Sequence, residues 1–206
     1  MIAVVDYGMG NLGSIANMLK KIGAEFIVTG SVTELQKADR LILPGVGGFD
    51  EGMKRLEASG LRKVLDTKVL ADRTPVLGIC LGMQLMTRRS QEGASPGLGW
   101  IEADTVKFDF GGRTDSLKIP HMGWNTVTPV KIGGIFAGPE ESRRFYFLHS
   151  YHVRCDRPDD VAATATHGAV FTAAFQRGHI AGVQFHPERS HRFGLQLFRN
   201  FAGMGA

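Results

Sequence analysis

The chain of 206 residues is 43% hydrophobic and 21% charged, which excludes a disordered chain and suffices for one medium-sized domain spanning residues 1–206. Its 24 Lys and Arg residues against 20 Asp and Glu residues give a net charge of +4, and no basic run is interleaved with aromatic residues, which argues against nucleic-acid binding. Two cysteines are too few for a disulfide framework, and we find neither a signal peptide nor an apolar run of membrane-spanning length, so we expect free thiols, no membrane contact and a cytoplasmic location.

The first half of the chain alternates short apolar segments with segments of helical periodicity. Strands are predicted at residues 2–5, 26–28, 41–43 and 76–79. Helices are predicted at residues 12–22, 49–56 and 61–70, and Ser31 with Glu34 has the pattern of a capping box at the start of another short helix. Such alternation predicts a parallel sheet with helices on both faces, in which ligands bind at the carboxyl ends of the strands.

The second half of the chain is dominated by short apolar runs separated by turn residues. Strands are predicted at residues 100–108, 124–130, 145–148, 151–155, 161–166, 170–175 and 180–185, and Ser190 is expected to cap a final helix at residues 193–201. The predicted fold class is therefore α/β: a single domain with a mostly parallel central sheet, flanked by helices, with added antiparallel strands in the second half.

Cys80 is the first candidate catalytic residue. It stands between two glycines, in the pattern Gly78-Ile79-Cys80-Leu81-Gly82, directly after an apolar strand and before a helical pattern. This arrangement is typical of a nucleophile elbow, in which a sharp strand-to-helix turn exposes one side chain and glycines leave room around it. A cysteine in a buried strand is also often a packing residue, so Cys80 alone does not establish catalysis.

His186 and Glu188 are the candidate base and orienting carboxylate. Side chains two residues apart on a strand share one face, so we expect His186 to face Cys80 while Glu188 holds the imidazole from behind. Taken alone, the proline between them could simply end a strand, and Glu188 could be a solvated loop carboxylate. The combination of cysteine, histidine and glutamate favours a catalytic triad for nucleophilic chemistry.

An oxyanion intermediate of such a triad needs N–H donors. The N–H of Leu81 follows the nucleophile and is one donor by the geometry of the elbow. A second is expected from Val46 or Gly47, in the glycine-rich segment 44–48, although a plain strand-to-helix turn would explain that segment equally.

Gln84 is a further candidate site residue, because it lies one helical turn after Cys80 and on the same face of the helix. The alternative interpretation is a buried core glutamine whose hydrogen bonds are satisfied.

The motifs together resemble those of the class I (triad-type) glutamine amidotransferases along the whole chain. They are P-G-V-G at residues 44–47, G-I-C-L-G-M-Q at residues 78–84 and F-H-P-E at residues 185–188. The resemblance implies that Cys80 attacks the side-chain amide of glutamine, that a glutamyl thioester forms, and that ammonia and then glutamate are released. It also implies that Gln84, Ser150 and Tyr151 hold the α-amino and carboxylate groups of glutamine. This chemistry requires neither a metal nor an organic cofactor.

Within that family, the chain is most similar to the glutaminase subunits of imidazole glycerol phosphate synthase. The supporting segments are D-Y-G-M-G-N-L at residues 6–12, F-D-E-G-M at 49–53, P-H-M-G-W-N at 120–125 and H-S-Y at 149–151. This resemblance implies that the ammonia passes to a cyclase-type synthase subunit, which makes imidazole glycerol phosphate and an aminoimidazole carboxamide ribotide in histidine biosynthesis. Asn11, Met122 and Trp124 are expected to face that partner in a heterodimer.

Three alternatives remain open at the level of sequence. The chain has Arg189 where the usual family form has lysine, and with Trp100 and the sequence H-R-F-G at residues 191–194 it also resembles a branch that supplies ammonia to a sugar amidotransferase in surface-polysaccharide synthesis. A cysteine peptidase or thioesterase on a similar elbow would need a cleft for a longer substrate. A non-catalytic partner protein would be signalled by loss of a triad residue, and all three residues are present.

Overall fold

The strands of the computed structural model, which describes residues 1–110, 118–138 and 143–205, form one mixed sheet. The described residues contain eleven strands: β1 (Ile2–Val5), β2 (Phe26–Thr29), β3 (Arg40–Leu43), β4 (Val76–Ile79), β5 (Ala103–Lys107), β6 (His121–Pro129), β7 (Arg143–His149), β8 (Tyr151–Cys155), β9 (Val161–His167), β10 (Ala169–Arg177) and β11 (Ile180–Val183). The α-helices are α1 (Leu12–Lys21), α2 (Val32–Lys37), α3 (Phe49–Ala58), α4 (Arg62–Asp66), α5 (Leu81–Leu85) and α6 (His191–Ala202). The predicted α/β fold class is confirmed.

The order of strands in the sheet places the last strand of the sequence next to the fourth. The path runs β2-β1-β3-β4-β11-β10-β9-β6-β7, and β8 pairs with both β10 and β5. The first five strands along this path are parallel, whereas the pairings of β10 with β11, β9 and β8, and those of β6 with β7 and β9, are antiparallel. Because β4 and β11 are parallel neighbours, the residues that follow them emerge side by side.

Each face of the parallel strands packs against its own apolar cluster. In β1, Ile2 and Val4 belong to the cluster that contains Leu19 of α1 and Phe198 of α6. Ala3 and Val5 belong to a second cluster, which contains Met53 of α3 and Leu65 of α4. A strand buried on both faces reads as a continuous apolar run, which is why the sequence of this strand shows no alternation. None of the helices in the described ranges is long and apolar enough to cross a membrane.

Ser31 and Ser190 occupy the predicted N-cap positions of α2 and α6, but neither side chain makes a cap hydrogen bond. Ser31 precedes α2, but its side chain makes no cap hydrogen bond; its N–H donates to Thr29 Oγ1 at 2.9 Å, and the Thr29 hydroxyl bonds Glu34 instead. Ser190 precedes α6, but its hydroxyl donates to the His186 carbonyl at 2.6 Å rather than capping the helix. At α2 the Thr29 hydroxyl takes the Glu34 carboxylate that a capping box would use, and at α6 the Ser190 hydroxyl is committed to the His186 carbonyl.

Several predicted boundaries also move. The helix predicted at residues 61–70 is α4 followed by a π-helical turn at Thr67–Ala71. The strand predicted from residue 100 begins at Ala103, because Trp100 is buried ahead of it and its Nε1–H donates to Asp66 Oδ1 at 2.7 Å. The strand predicted from residue 124 begins at His121, where it pairs with His149. Tertiary contacts set these boundaries, and apolar periodicity alone cannot locate them.

Gly82 should be indispensable for the fold, whereas Gly13 should not. A Cβ on Gly82 would overlap the carbonyl oxygen of Leu43, which belongs to rigid backbone at the end of β3. A Cβ on Gly13, in the first turn of α1, would meet nothing within 4 Å. We expect Gly82→Ala to lower the free energy of unfolding by about 3 kcal/mol or more, and Gly13→Ala to be neutral or stabilising by up to about 1 kcal/mol. Urea unfolding of the pair checks this, and equal stability of the two variants would refute it.

Candidate active site

Cys80 sits at the turn between β4 and α5 in a backbone conformation that L-residues rarely adopt. Its φ is 53° and its ψ is −109°, and it is the residue preceding the first turn of α5. The turn is tight because Gly78 packs directly on α5: a Cβ there would lie 2.8 Å from the backbone nitrogen of Met83. A strained residue at the carboxyl end of a buried parallel strand marks a functional site. The predicted elbow geometry is present at this position.

His186 reaches the same place from the neighbouring strand. The Cys80 N–H donates to the Val183 carbonyl at 2.8 Å, so the chain leaving β11 passes directly beside the elbow. The His186 N–H then donates to the Tyr146 carbonyl at 2.8 Å, which anchors the segment to β7. Parallel pairing of β4 with β11 thus brings together residues separated by more than a hundred positions.

Glu188 contacts His186 by a different route from the one predicted. Strand β11 ends at Val183, and Pro187–Arg189 form a single 3-10 turn. Because Pro187 fixes its φ and lacks an N–H, the chain cannot continue as a paired strand, so strand alternation is the wrong explanation for the pair. The turn instead folds Glu188 back, and its Oε1 accepts a hydrogen bond from His186 Nδ1 at 2.9 Å.

The imidazole of His186 is held in its charged form by its surroundings. Burial alone disfavours the charge, but hydrogen bonds to Cys80 and Glu188, and the negative charges of these groups, raise the pKa of His186 to about 10. Within the described residues, the second carboxylate oxygen of Glu188, Oε2, is buried and has no hydrogen-bond partner. A buried carboxylate with one unsatisfied oxygen is costly unless a positive charge compensates it, and an imidazolium at His186 supplies that charge.

A cleft of about 450 Å³ opens over Cys80. Ten of the twelve residues predicted for the site or the partner surface line it: Asn11, Val46, Gly47, Cys80, Leu81, Gln84, Ser150, Tyr151, His186 and Glu188. A cleft of this size suits a small molecule better than an extended chain. No group of three or more His, Cys, Asp or Glu side chains among the described residues is arranged to hold a metal ion.

The glycine-rich segment 44–48 is fastened at both ends. The buried hydroxyl of Tyr7 donates to the Pro44 carbonyl at 2.7 Å, and the Phe49 N–H donates to Glu92 Oε2 at 2.9 Å. Burial, with a smaller contribution from the charge of Cys80, raises the pKa of Tyr7, so its hydroxyl remains a donor. Between these two anchors, Gly47 has a φ of 103°, a conformation that favours glycine. No local sequence pattern predicts these hydrogen bonds of Tyr7 and Glu92.

Gln84 and Gln184 form a buried pair beneath the cleft. Gln84 Nε2 donates to the Tyr151 carbonyl and to Gln184 Oε1, both at 3.1 Å. Gln184 Nε2 in turn lies 3.8 Å from Cys80 Sγ. Gln84 was predicted from its spacing to Cys80, whereas Gln184 was not predicted. A glutamine inside the apolar run from Ile180 to Phe185 is a polar residue without a local reason to be buried, and that was the available signal.

A second hydrogen-bonded chain reaches the Tyr151 carbonyl from the opposite side. Asn125 Nδ2 contacts His121 Nε2 at 3.1 Å, His121 Nδ1 contacts His149 Nε2 at 2.9 Å, and His149 Nδ1 contacts the Tyr151 carbonyl at 2.8 Å. Because that carbonyl only accepts, His149 carries its proton on Nδ1, and His121 does likewise. Burial lowers the pKa of His149 to about 3 and that of His121 to about 4, so both rings are neutral at pH 7.

Met122 and Trp124 lie outside the cleft, on the exposed side of β6. Their exposed fractions are 66% and 40%, and Leu148, opposite Met122 on β7, is also 40% exposed. Trp124 stacks on His191 with ring centroids 5.5 Å apart, and the Arg189 guanidinium lies 5.1 Å from the ring centroid of Tyr146. Contiguous exposed apolar side chains of this size beside a cleft are typical of an interaction surface.

The chain is similar to known proteins along nearly its whole length. The family model described as glutamine amidotransferase class-I matches residues 3–203. The chain is 51% identical over 201 residues to "Imidazole glycerol phosphate synthase subunit HisH 2" of Pseudomonas aeruginosa, with 98% of each chain covered. It is 46% identical over 202 residues to "Imidazole glycerol phosphate synthase subunit HisH" of Bdellovibrio bacteriovorus, with 98% of this chain and 99% of that protein covered.

The fold is also similar to that of a solved glutamine amidotransferase. The two superpose with a TM-score of 0.77 over 98% of this chain and 97% of the other, at 18% sequence identity. At that identity the likeness concerns the fold alone. The relatives named above are synthase subunits, and a sugar amidotransferase partner finds no support in them.

The neutral histidine pair should make the fold sensitive to acid. Since the pKa of His149 is about 3 in the folded chain and about 6.5 when unfolded, the unfolded chain binds more protons between these values, and stability falls as the pH drops through that window. Between pH 7 and pH 5, we expect the free energy of unfolding to fall by about 2 kcal/mol less in His149→Gln than in the wild type. Urea unfolding at both pH values measures the difference. The exposed His191→Gln serves as the control, and identical pH dependence of His149→Gln and wild type would contradict the prediction.

Proposed function

The chain belongs to the class I glutamine amidotransferase family, and we propose that it hydrolyses glutamine to glutamate and ammonia through a triad of Cys80, His186 and Glu188. The observation that carries the proposal is the left-handed Cys80 at the end of β4, in a cleft it shares with a His186 imidazole bonded to Glu188. A nucleophile, a base and an orienting carboxylate in this order are the elements of acyl transfer.

In the first half-reaction, Cys80 Sγ attacks the side-chain amide carbon of glutamine after its proton has passed to His186. The resulting tetrahedral oxyanion collapses when His186 gives its proton to the departing nitrogen, and ammonia leaves behind a glutamyl thioester. Glu188 holds the imidazole by its Nδ1–H and offsets the positive charge of the ring, so Nε2 serves the reacting atoms. Both proton transfers therefore pass through one oriented imidazole.

The second half-reaction hydrolyses the thioester. His186 takes a proton from water, the hydroxide attacks the thioester carbon, and the Cys80 sulfur leaves as glutamate is released. Both tetrahedral intermediates need donors for their oxyanion. We assign this role to the backbone N–H groups of Leu81, in the first turn of α5, and of Val46 or Gly47, which face the same cleft.

The amino-acid end of glutamine is assigned to Gln84, Ser150 and Tyr151. The Nε2 of Gln84 is already committed to the Tyr151 carbonyl and to Gln184, so its Oε1 is the atom left to accept a hydrogen bond from the α-ammonium group. The Tyr151 carbonyl already accepts hydrogen bonds from Gln84 and His149, which occupy both of its lone pairs. Ser150 and Tyr151 line the cleft beside Gln84 and complete the binding surface for the α-carboxylate.

We assign the apolar surface of Met122 and Trp124, together with Asn11 at the cleft rim, to the docking of a cyclase-type synthase subunit. That partner would use the ammonia to make imidazole glycerol phosphate and an aminoimidazole carboxamide ribotide in histidine biosynthesis. The support comes from relatives at 46% to 51% identity that are named as subunits of imidazole glycerol phosphate synthase. The exposed tryptophan is of the residue type that most often anchors such an interface.

Replacing the nucleophile should abolish hydrolysis without affecting the fold. We expect Cys80→Ala to lower glutamine turnover by at least about 10³-fold, because the covalent step is lost. Cys155→Ala is the matched control: that thiol does not line the cleft, and burial raises its pKa to about 12, so it stays protonated. Release of glutamate and ammonia from glutamine is the measurement. Turnover at the wild-type rate by Cys80→Ala would reject the triad.

Glu188→Gln should weaken catalysis and change its pH dependence. The amide keeps a hydrogen-bond acceptor for His186 but removes the negative charge, so the raised pKa of His186 falls and the imidazolium is lost at lower pH. We expect kcat/KM to drop by about 10²-fold or more and the alkaline limb of the pH–rate profile to move to lower pH. Glu25→Gln, an exposed carboxylate, is the control. An unchanged profile would remove Glu188 from the mechanism.

The partner assignment is tested by adding a cyclase-type synthase subunit to the purified chain. We expect slow glutamine hydrolysis by the chain alone and strong stimulation by the partner, since the glycine-rich backbone between the anchors at Pro44 and Phe49 can change conformation when the partner binds. Trp124→Ala should abolish stimulation while leaving the slow basal rate. Basal hydrolysis without any stimulation would contradict this partner and leave the triad standing.

A further inference from the structure

Gln184 contacts the proposed nucleophile, but the proposed reaction assigns it no role at the sulfur. It is fully buried and follows the last residue of β11, and its Nε2 lies 3.8 Å from Cys80 Sγ. Its backbone N–H donates to the Ala173 carbonyl at 2.9 Å, which fixes its main chain to the sheet. Gln184 is not among the residues that line the cleft, so it approaches the Cys80 sulfur from the protein interior.

The orientation of the Gln184 amide is determined by its neighbours. The Tyr151 carbonyl can only accept, so Gln84 must present its Nε2 there. The same Nε2 lies 3.1 Å from the Gln184 side chain, which must therefore present its oxygen to Gln84. The remaining end of the Gln184 amide, which faces Cys80, is its NH₂ group. A single backbone carbonyl thus aims an N–H donor at the sulfur.

Two neighbours of the Cys80 sulfur have opposite effects on the ionisation of the thiol. The Leu148 carbonyl, also 3.8 Å from Cys80 Sγ, accepts the S–H of the neutral thiol and repels a thiolate. Gln184 acts in the opposite direction, because a hydrogen bond donated to a charged acceptor is stronger than one donated to a neutral acceptor. With His186 as the proton acceptor, the N–H of Gln184 is the donor that offsets the Leu148 carbonyl when the thiolate forms.

We propose that Gln184 is a further catalytic residue, whose side-chain N–H donates to the Cys80 sulfur and stabilises the thiolate before attack. The inference rests on the proposed function of Cys80 as the nucleophile. The thiol proton moves from Sγ to His186, and Gln184 neither gains nor loses a proton. Its hydrogen bond weakens when the sulfur becomes the neutral thioester, and it is restored when the sulfur leaves.

Gln184→Met tests the proposal, because methionine has similar length and no N–H. The variant is made with Cys155→Ala, so that Cys80 is the only thiol, and its alkylation by iodoacetamide is followed against pH without glutamine or partner. We expect alkylation at pH 7 to be about tenfold slower and the midpoint of the rate profile to rise by about one pH unit. The kcat for glutamine should fall by at least the same factor.

The matched control is Gln176→Met, a partly buried glutamine whose Nε2 donates to the Gly178 carbonyl, and it should alkylate like the parent. If Gln184→Met does not fold, Gln184→Glu keeps an oxygen for Gln84 and presents another oxygen to the sulfur, so the same upward movement of the midpoint is expected. An unchanged midpoint in a folded Gln184 variant overturns the proposal. Alkylation needs no glutamine, so failure of the wild-type chain to hydrolyse glutamine would reject the proposed function separately.

Discussion

The close packing of the first turn of α5 on the end of β3 is the constraint from which the site follows. Gly82 lies against the Leu43 carbonyl with no space for a side chain, and a Cβ on Gly45 would stand 2.7 Å from the Gly82 nitrogen. The chain can enter α5 this close to β3 only by turning sharply, which forces Cys80 into a left-handed conformation. The same contact brings Val46 and Gly47 to the cleft beside Cys80, so the proposed nucleophile and the proposed oxyanion donors depend on one packing contact.

The topology of the sheet supplies the remaining chemistry. Insertion of β11 between β4 and β10 places the chain segment from Gln184 to Glu188 beside the elbow. If β11 were antiparallel to β4, the residues that follow it would lie at the opposite end of the strands, away from Cys80. Cys80 and His186, the proposed nucleophile and base, are therefore close in space although they are far apart in sequence. The backbone hydrogen bonds of β11 to β4 and β10 fix the strand that leads to His186.

The sequence identified residues whose role depends on local pattern and missed those that depend on a distant partner. Cys80 was recognisable because glycines on both sides and an apolar strand before it specify an elbow, and the fold class followed from alternating elements. Tyr7, Glu92 and Gln184 were not recognisable, because the atoms they bind belong to segments far away in sequence. The missing cap bond at Ser31 has a local origin instead: the Thr29 hydroxyl bonds the carboxylate of Glu34, five residues further along the chain.

One backbone carbonyl determines which groups donate and which accept in both series of hydrogen bonds beneath the cleft. The Tyr151 carbonyl accepts from Gln84, which orients Gln184 toward Cys80, and from His149, which orients His121 toward Asn125. The second series ends on β6, where residues alternate between the two faces of the strand. The side chains of His121 and Asn125 point inward and belong to this series of hydrogen bonds, while those of Met122 and Trp124 point outward and form the exposed apolar surface. The two faces share one backbone, so the exposed apolar surface and the hydrogen bonds that lead to the Tyr151 carbonyl are carried by the same strand.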